Sequence, residues 1–261
     1  MTADSAVQFS LVQLDDYGPW TVTPEPRRET ALQALQSRLY ADLADFVGDR
    51  DGYVFPGRFD NMVAATNGID PVAHRRFQER VRNHYPVTAS IGVGTGETPA
   101  AALGAASEQL QATGSAQDAD RRERLAAPHE RAAAGPLSVA HFDVVDATGT
   151  YTDRVNAVDA ELVVRRATAT LAEYMRRHHD AVTSFVGGDN VIAICPVLPD
   201  SAYDEAVEHV RAATDVDLRV GVGTARSPFA AGQAAKHALE TGRETGASVT
   251  TPDSEPVNAD D

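Results

Sequence analysis

Three landmarks recur in this chain, in the same order and at one spacing. In the first half "SLVQLDD" ends at Asp16, "FDN" spans Phe59–Asn61 and "VTASIGVGTG" spans Val87–Gly96. In the second half "SVAHFDVVD" ends at Asp146, "GDN" spans Gly188–Asn190 and "VDLRVGVGTA" spans Val216–Ala225. Matching Asp15 to Asp143, Asp60 to Asp189 and Gly92 to Gly221 gives offsets of 128, 129 and 129 residues. A duplication in register means two copies of one folding unit. The 261 residues are enough for each copy to hold its own core.

Each copy reads the same way. A strand comes first (8–14; 137–142), then a long helix. The first helix carries an apolar stripe at Leu32, Leu35, Leu39, Leu43 and Phe46; Leu162, Val163, Leu171 and Met175 serve the second. A hairpin follows, with its second-half tip at Gly187 to Asn190. A second helix (71–84; 201–213), a strand (87–93; 217–222) and a small-residue helix (100–111; 230–243) complete the unit. The order β-α-β-β-α-β plus a helix is the ferredoxin-like α+β arrangement. Expected domains are residues 1–113 and 136–248. The charged stretch 114–135 is expected to be a solvated, partly helical linker, and 249–261 a disordered acidic tail.

Composition narrows the function classes. The formal charge is −15, and Lys236 is the only lysine among 23 basic residues. An acidic surface with almost no lysine fits a protein adapted to high salt. It argues against nonspecific nucleic-acid binding. An anionic substrate would need metal ions or arginines placed locally. No run of 18 apolar residues exists, so no membrane span is expected, and the opening residues lack the pattern of a secretory signal. The expected setting is cytoplasmic. Cys195, the single cysteine, lies in a strand and reads as a small buried residue.

Topology explains the carboxylates. In the ferredoxin-like sheet the end of the first strand adjoins the start of the third, just past the hairpin tip. Asp15 and Asp16 therefore come near Asp60, and Asp143 near Asp189. Carboxylates held together repel unless a cation intervenes. Mg²⁺ resolves the conflict, because it takes one or two carboxylates together with phosphate oxygens. Asp15, Asp60, Asp143 and Asp189 are the metal-ligand candidates. Gly187 and Gly188 allow a tight tip and close approach of phosphate to backbone N–H groups. Ordinary turn chemistry is the competing explanation for a lone Gly-Asp-Asn.

Strand–Asp, long helix, Gly-Gly-Asp-Asn hairpin and "VGVG" strand together resemble the palm-like core of nucleotidyl cyclases. A longer set of motifs is similar to the GTP cyclohydrolase III family, also called the archaeal GTP cyclohydrolase IIa family. It comprises "QLDDYGPWTVTPEPRRE", "LQALQSRLY", "RFDN", "TNGID", "GSAQD", "HFDVVD" and "VGGDN", and the resemblance covers Val7–Gly246. A salt-loving archaeal source fits the composition. The resemblance implies GTP as substrate, Mg²⁺ as cofactor, K⁺ as activator, no zinc and a homo-oligomer, dimer or tetramer. It implies that water opens the guanine imidazole ring with the formyl group kept, that two phosphates are released, and that the product feeds flavin synthesis. One cysteine cannot supply a thiolate-rich zinc site. A nucleotidyl cyclase and a degenerate nucleotide sensor are the alternatives.

Roles follow residue by residue. Asp15 and Asp60 are the first-choice metal ligands and catalytic carboxylates. Arg58 is a candidate for developing phosphate charge. Tyr17, Gly18 and Trp20 follow the first strand. Gly18 offers a backbone N–H, and Trp20 either stacks on guanine or caps the core. Asn61 and Asn190 can read a base edge or position water. His141 shares a strand face with Asp143 and is a candidate acid–base for ring opening, or a histidine satisfied within the sheet.

Overall fold

The structure, a computed structural model, describes residues 5–128, 132–147, 149 and 153–252. Its first half runs β1 (Val7–Leu14), α1 (Tyr17–Val22), α2 (Glu29–Gly48), β2 (Tyr53–Phe55), β3 (Asn61–Ala65), α3 (Pro71–His84), β4 (Ala89–Gly96) and α4 (Pro99–Gln111), then β5 (Leu125–Ala126). The second half runs β6 (Leu137–Val144), α5 (Ala157–His179), β7 (Val182–Gly187), β8 (Asn190–Cys195), α6 (Asp200–Thr214), β9 (Leu218–Ala225), α7 (Pro228–Thr245) and β10 (Val249–Thr250). The sheets are ordered β2-β3-β1-β4-β5 and β10-β9-β6-β8-β7. Within each, the central strand is antiparallel to both neighbours, as the ferredoxin-like reading requires.

Alternation along β1 divides its side chains. Val12 and Leu14 join Leu35, Leu39, Leu43, Val47 and Phe77 in a core beneath α2 and α3. The matching second core uses Val164, Ala167, Leu171 and Met175 from α5. Leu162, expected in that stripe, is 55% exposed instead. Leu171 and Met175 are buried as expected and Val163 packs against them, while Leu162 lies about half a turn away and Val164 and Ala167 fill its place. Cys195 is buried, and burial pushes its thiol pKa up.

The opposite sheet faces do something the sequence reading did not foresee. Val7 and Phe9 of β1 share a third core with Leu137 and Val139 of β6 and Ala102, Ala231 and Ala235 of α4 and α7. Glycines in β4 and β9 let these helices lie almost on the strands. A Cβ at Gly94 would sit 2.2 Å from Ala106 N, and one at Gly223 2.3 Å from Ala231 O. The halves meet with approximate two-fold symmetry. Ala100 N–H donates to Asp180 O at 2.9 Å and Phe229 N–H to Asp51 O at 3.0 Å, and both residue pairs are related by a shift of 129.

The stretch 114–128 is largely exposed, as expected, but it contains no helix and does not hang free as a linker. It is laid along the first sheet: β5 pairs parallel with β4 (Ile91 with Leu125), and Arg121 is 3% exposed. The physical reason is an ion pair described below. β10 repeats the arrangement beside β9. Of the expected acidic tail, Val249–Thr250 forms β10, and residues from 253 on lie outside the described residues.

Candidate functional site

The end of β1 is where the expected site residues gather. On one side lies the β2–β3 hairpin, tied on by Leu14 N–H to Asp60 O at 2.9 Å. Gly57 (φ 53°) closes that turn, since a Cβ there would lie 2.3 Å from Asn61 O. Asp60 Oδ2 pairs with Arg58 Nη2 at 3.2 Å, while Asp60 Oδ1 is buried and has no hydrogen-bond partner. Arg58 itself is largely exposed. Asn61 Oδ1 accepts from Gln13 Nε2 at 2.7 Å, so the amide is held against β1.

Asp15 behaves differently. It is 4% exposed, and both its oxygens are engaged. Oδ1 accepts from Ser90 Oγ (2.6 Å) and Arg121 Nη2 (3.2 Å); Oδ2 accepts from Thr88 Oγ1 (2.9 Å) and the Glu123 N–H (2.9 Å). A carboxylate taken out of water needs such a shell of donors. Four donors, from Thr88 just before β4, Ser90 within it and the 114–124 segment, make Asp15 a clasp that fastens that segment to the sheet. Asp16 follows in the left-handed region at φ 50°, its N–H donating to Ala116 O at 2.7 Å.

On the other side of β1 lies a cleft of about 270 Å³. Asp16, Trp20, Arg82, Tyr85, Thr88 and Arg122 line it. Arg82 reaches Glu123 at 2.8 Å. Tyr85 donates to Asp42 Oδ2 at 2.8 Å, and burial together with that carboxylate raises its pKa to about 12. The Arg27 guanidinium lies 3.8 Å from the Trp20 ring centroid, and Tyr17 stacks on Trp20 at 5.9 Å. Trp20 also packs on the core, the capping role expected of it. Gln36 Nε2 donates to Tyr17 Oη at 3.0 Å, which leaves the phenol proton free to be given. Burial raises the Tyr17 pKa, and the charges of Glu29 and Asp60 add to the rise. Gly18 has no tight neighbour: the nearest atom to a Cβ would be Gln117 Nε2 at 3.7 Å.

Sequence reasoning missed Arg82, Arg121 and Arg122. The signal was the Arg121-Arg122 pair in an acidic chain, read as solvated because no large apolar residue accompanies it.

Strand register corrects the matching of the repeats. Gln13 faces Asn61 across β1 and β3, and Asp143 faces Asn190 across β6 and β8. Asp143 therefore stands where Gln13 stands, and the place of Asp15 is taken by Val145. The backbone bonds agree: Asp15 N–H donates to Thr88 O and Val145 N–H to Asp217 O, both at 2.9 Å. Asp189 does match Asp60, since Val144 N–H donates to Asp189 O at 3.3 Å.

In the second half the expected side chains sit against protein partners: Asp143 Oδ1, like Asp60 Oδ1, is buried without a hydrogen bond, but it faces an arginine. Asp143 is 5% exposed and ion-paired to Arg243 at 2.9 Å. Asp189 Oδ1 accepts from Asn190 Nδ2 at 2.9 Å, and Asn190 Oδ1 lies 2.9 Å from His141 Nε2. A carboxylate can only accept, so the amide nitrogen faces Asp189 and its oxygen faces His141. That places the imidazole proton on Nε2. Burial lowers the His141 pKa; the Asn190 bond and Asp143 oppose this, while Lys236 and Arg243 add to it. Gly187 (φ 118°) and Gly188 (φ 62°) form the turn. Among the described residues no three His, Cys, Asp or Glu side chains converge as a ready metal cage. No helix among them is long and apolar enough to cross a membrane.

A family model described as GTP cyclohydrolase III matches residues 8–255. The protein named GTP cyclohydrolase III 2 from Halobacterium salinarum is 59% identical over 247 residues, covering 94% of this chain and 98% of that one. The Halorubrum lacusprofundi GTP cyclohydrolase III is 53% identical over 94% of this chain and 96% of its own. The Methanocaldococcus jannaschii GTP cyclohydrolase III is 42% identical, over 90% and 87%. The GGDEF domain of DgcB from Caulobacter crescentus aligns with 44% of this chain and 77% of its own, at 16% identity and a TM-score of 0.39. That score adds nothing to the fold read from the strand order. The family match spans nearly the whole chain and both repeats, so this chain belongs to the GTP cyclohydrolase III family.

Proposed function

We propose that this chain is a GTP cyclohydrolase whose reaction takes place at the end of β1 in the first half. The observation that carries the location is the unpartnered, buried oxygen of Asp60. A buried carboxylate oxygen without a donor is costly and marks a place for a cation or a proton. The donor set suits Mg²⁺: Asp60 through Oδ1, with Asp16 two residues past the Leu14–Asp60 backbone bond and the remaining positions left to phosphate oxygens and water. Asp15 would join only by releasing one of its four donors. Bound there, Mg²⁺ would neutralise triphosphate charge and make water more acidic.

The chain's own groups supply the rest. Arg58, exposed and, among the described residues, held by Asp60, can swing to a phosphate oxygen. Arg82 and Arg122 line the adjoining cleft and give an anion its local cations within a −15 chain. Trp20 and Tyr17 offer aromatic surface for guanine, and Tyr17 stays protonated as a donor.

Family membership supports the finer reading. One water opens the ring between C8 and N9 and leaves the formyl group on N7. Two further waters remove the outer phosphates. The product is 2-amino-5-formylamino-6-(5-phosphoribosylamino)pyrimidin-4(3H)-one. K⁺ activation and a homo-oligomer are proposed on the same basis. His141 and the second-half carboxylates lie in the other repeat, already partnered, and are assigned no step.

The test is incubation with GTP and Mg²⁺ in concentrated KCl, following the purine absorbance and released phosphate together. Loss of the purine spectrum with two phosphates per GTP is expected. Pyrophosphate with an intact purine would identify a nucleotidyl cyclase, and binding without turnover a sensor; either overturns the proposal.

A further inference from the structure

The two-fold relation between the halves gives each junction residue a counterpart 129 positions away, and the charges of the counterparts differ. At the first junction, a cleft of about 610 Å³ opens between the β3–α3 loop and the β9–α7 loop. Its lining includes Arg50, Asp51, Asn67, Asp70, Arg76 and Arg226. The floor is fixed. Asn67 is 7% exposed; its Nδ2 donates to Gly135 O and Arg226 O, both at 2.9 Å, and its Oδ1 accepts from the Gln8 N–H at 2.7 Å.

None of the three arginines has an ion-pair partner among the described residues. Arg50 donates to Phe46 O at 2.8 Å and Arg226 to Ala134 O at 3.1 Å. Neutral acceptors leave the full charge in place. Arg76 makes no side-chain hydrogen bond among the described residues. Of the two aspartates, Asp70 caps α3, accepting from Ala73 N at 2.7 Å.

The shift of 129 supplies an internal control. At the second junction the counterparts of Arg50, Arg76 and Arg226 are His179, Glu205 and Glu97, and Asp180 replaces Asp51. One fold position thus holds three arginines on one side and a histidine with two glutamates on the other. Packing the halves does not require the arginines, and in the first cleft three arginines outnumber two aspartates, a net positive lining that favours an anion.

We propose that this inter-half cleft is a binding site for a phosphate group, carried by free phosphate or by a small phosphate ester. The cavity has the size of a small-ligand pocket and is built from both repeats, so an anion there ties the halves together. The site is separate from the one assigned to the reaction and does not rest on that assignment.

Inorganic phosphate and GMP are titrated separately into the full chain in KCl with EDTA, read by calorimetry and by the shift in Tm. Saturable binding with a rise in Tm is expected for at least one. Tighter GMP binding would identify an ester ligand, and equal binding free phosphate. Arg226→Gln should weaken it about tenfold, roughly the loss of one charge-assisted hydrogen bond. Arg76→Gln should weaken it similarly, and since that side chain has no partner its folding is not at stake. Asp60→Asn should leave it unchanged. No saturable binding, binding that survives both arginine changes, or binding lost with Asp60→Asn would overturn the proposal.

Discussion

The two halves share a sheet order, a helix order and even their special backbone positions, yet their polar groups are used in opposite ways. Asp16 and Asp146 both take φ near 50°, and Asp51 and Asp180 both lie in the left-handed region. In the first half the hairpin carboxylate keeps one buried oxygen without a donor, and an arginine-lined cleft lies across the end of β1 from it. In the second, Asp189, Asn190 and His141 form a closed chain of partners, and Arg243 holds Asp143. A duplicated scaffold preserves geometry without preserving chemistry. The site must be argued from side chains.

The largest expected difference between the halves is catalytic. Asp60→Asn should lower the rate of GTP consumption about a thousandfold, the scale of losing a key electrostatic group. Asp189→Asn should leave it essentially unchanged. Steady-state rates of the two variants check this, and equal losses would break the asymmetry.

Stability should be asymmetric too. The Arg121–Asp15 pair is buried, at 2% and 1% side-chain exposure, whereas Arg243 in the Arg243–Asp143 pair is 39% exposed. Arg121→Met strands a buried carboxylate and should cost about 3–5 kcal/mol. Arg243→Met should cost clearly less. Denaturant titration in high salt measures both.

Elsewhere the halves should respond alike. Gly94→Ala and Gly223→Ala each push a methyl group into the backbone of the small-residue helix above, at a cost of about 1–3 kcal/mol. Thermal unfolding of the two variants should give similar falls in Tm.

The smallest effect is the pH dependence that His74 contributes in the first half. His74 is buried, with Nδ1 2.7 Å from Asp70 O and Nε2 2.7 Å from Ser10 Oγ. The carbonyl can only accept, so Nδ1 carries the proton and Nε2 accepts from Ser10. Burial lowers its pKa below 6.5, against smaller opposing contributions from Asp70. The unfolded chain then binds the proton more readily, so this contribution to stability is present above pH 6.5 and is lost as pH falls through the folded value. His74→Gln should flatten the fall of Tm on acidification. An unchanged slope would contradict the assignment.

Much of the fold was legible because helix and strand periods repeat at a fixed offset. α3 was expected at 71–84 and lies at Pro71–His84. The site was less legible. Matching Asp15 to Asp143 misplaced the second carboxylate by two residues, a full strand period, so the inward–outward alternation fits both matches. Only the pairing of Gln13 with Asn61 and Asp143 with Asn190 decides between them. The attachment of the 114–124 segment to the sheet left no apolar signal, because it is held by charge and backbone bonds. The glycines of β4 and β9 gave no signal of packing, since their partners lie far along the chain.

The central claim is that one half alone holds a metal–nucleotide site. Calorimetric titration of a non-hydrolysable GTP analogue, with and without Mg²⁺, tests it directly on the wild-type chain, Asp60→Asn and Asp189→Asn. One Mg²⁺-dependent site per chain is expected, weakened about tenfold or more by Asp60→Asn and untouched by Asp189→Asn. Two Mg²⁺-dependent sites, or one that disappears with Asp189→Asn, would contradict it.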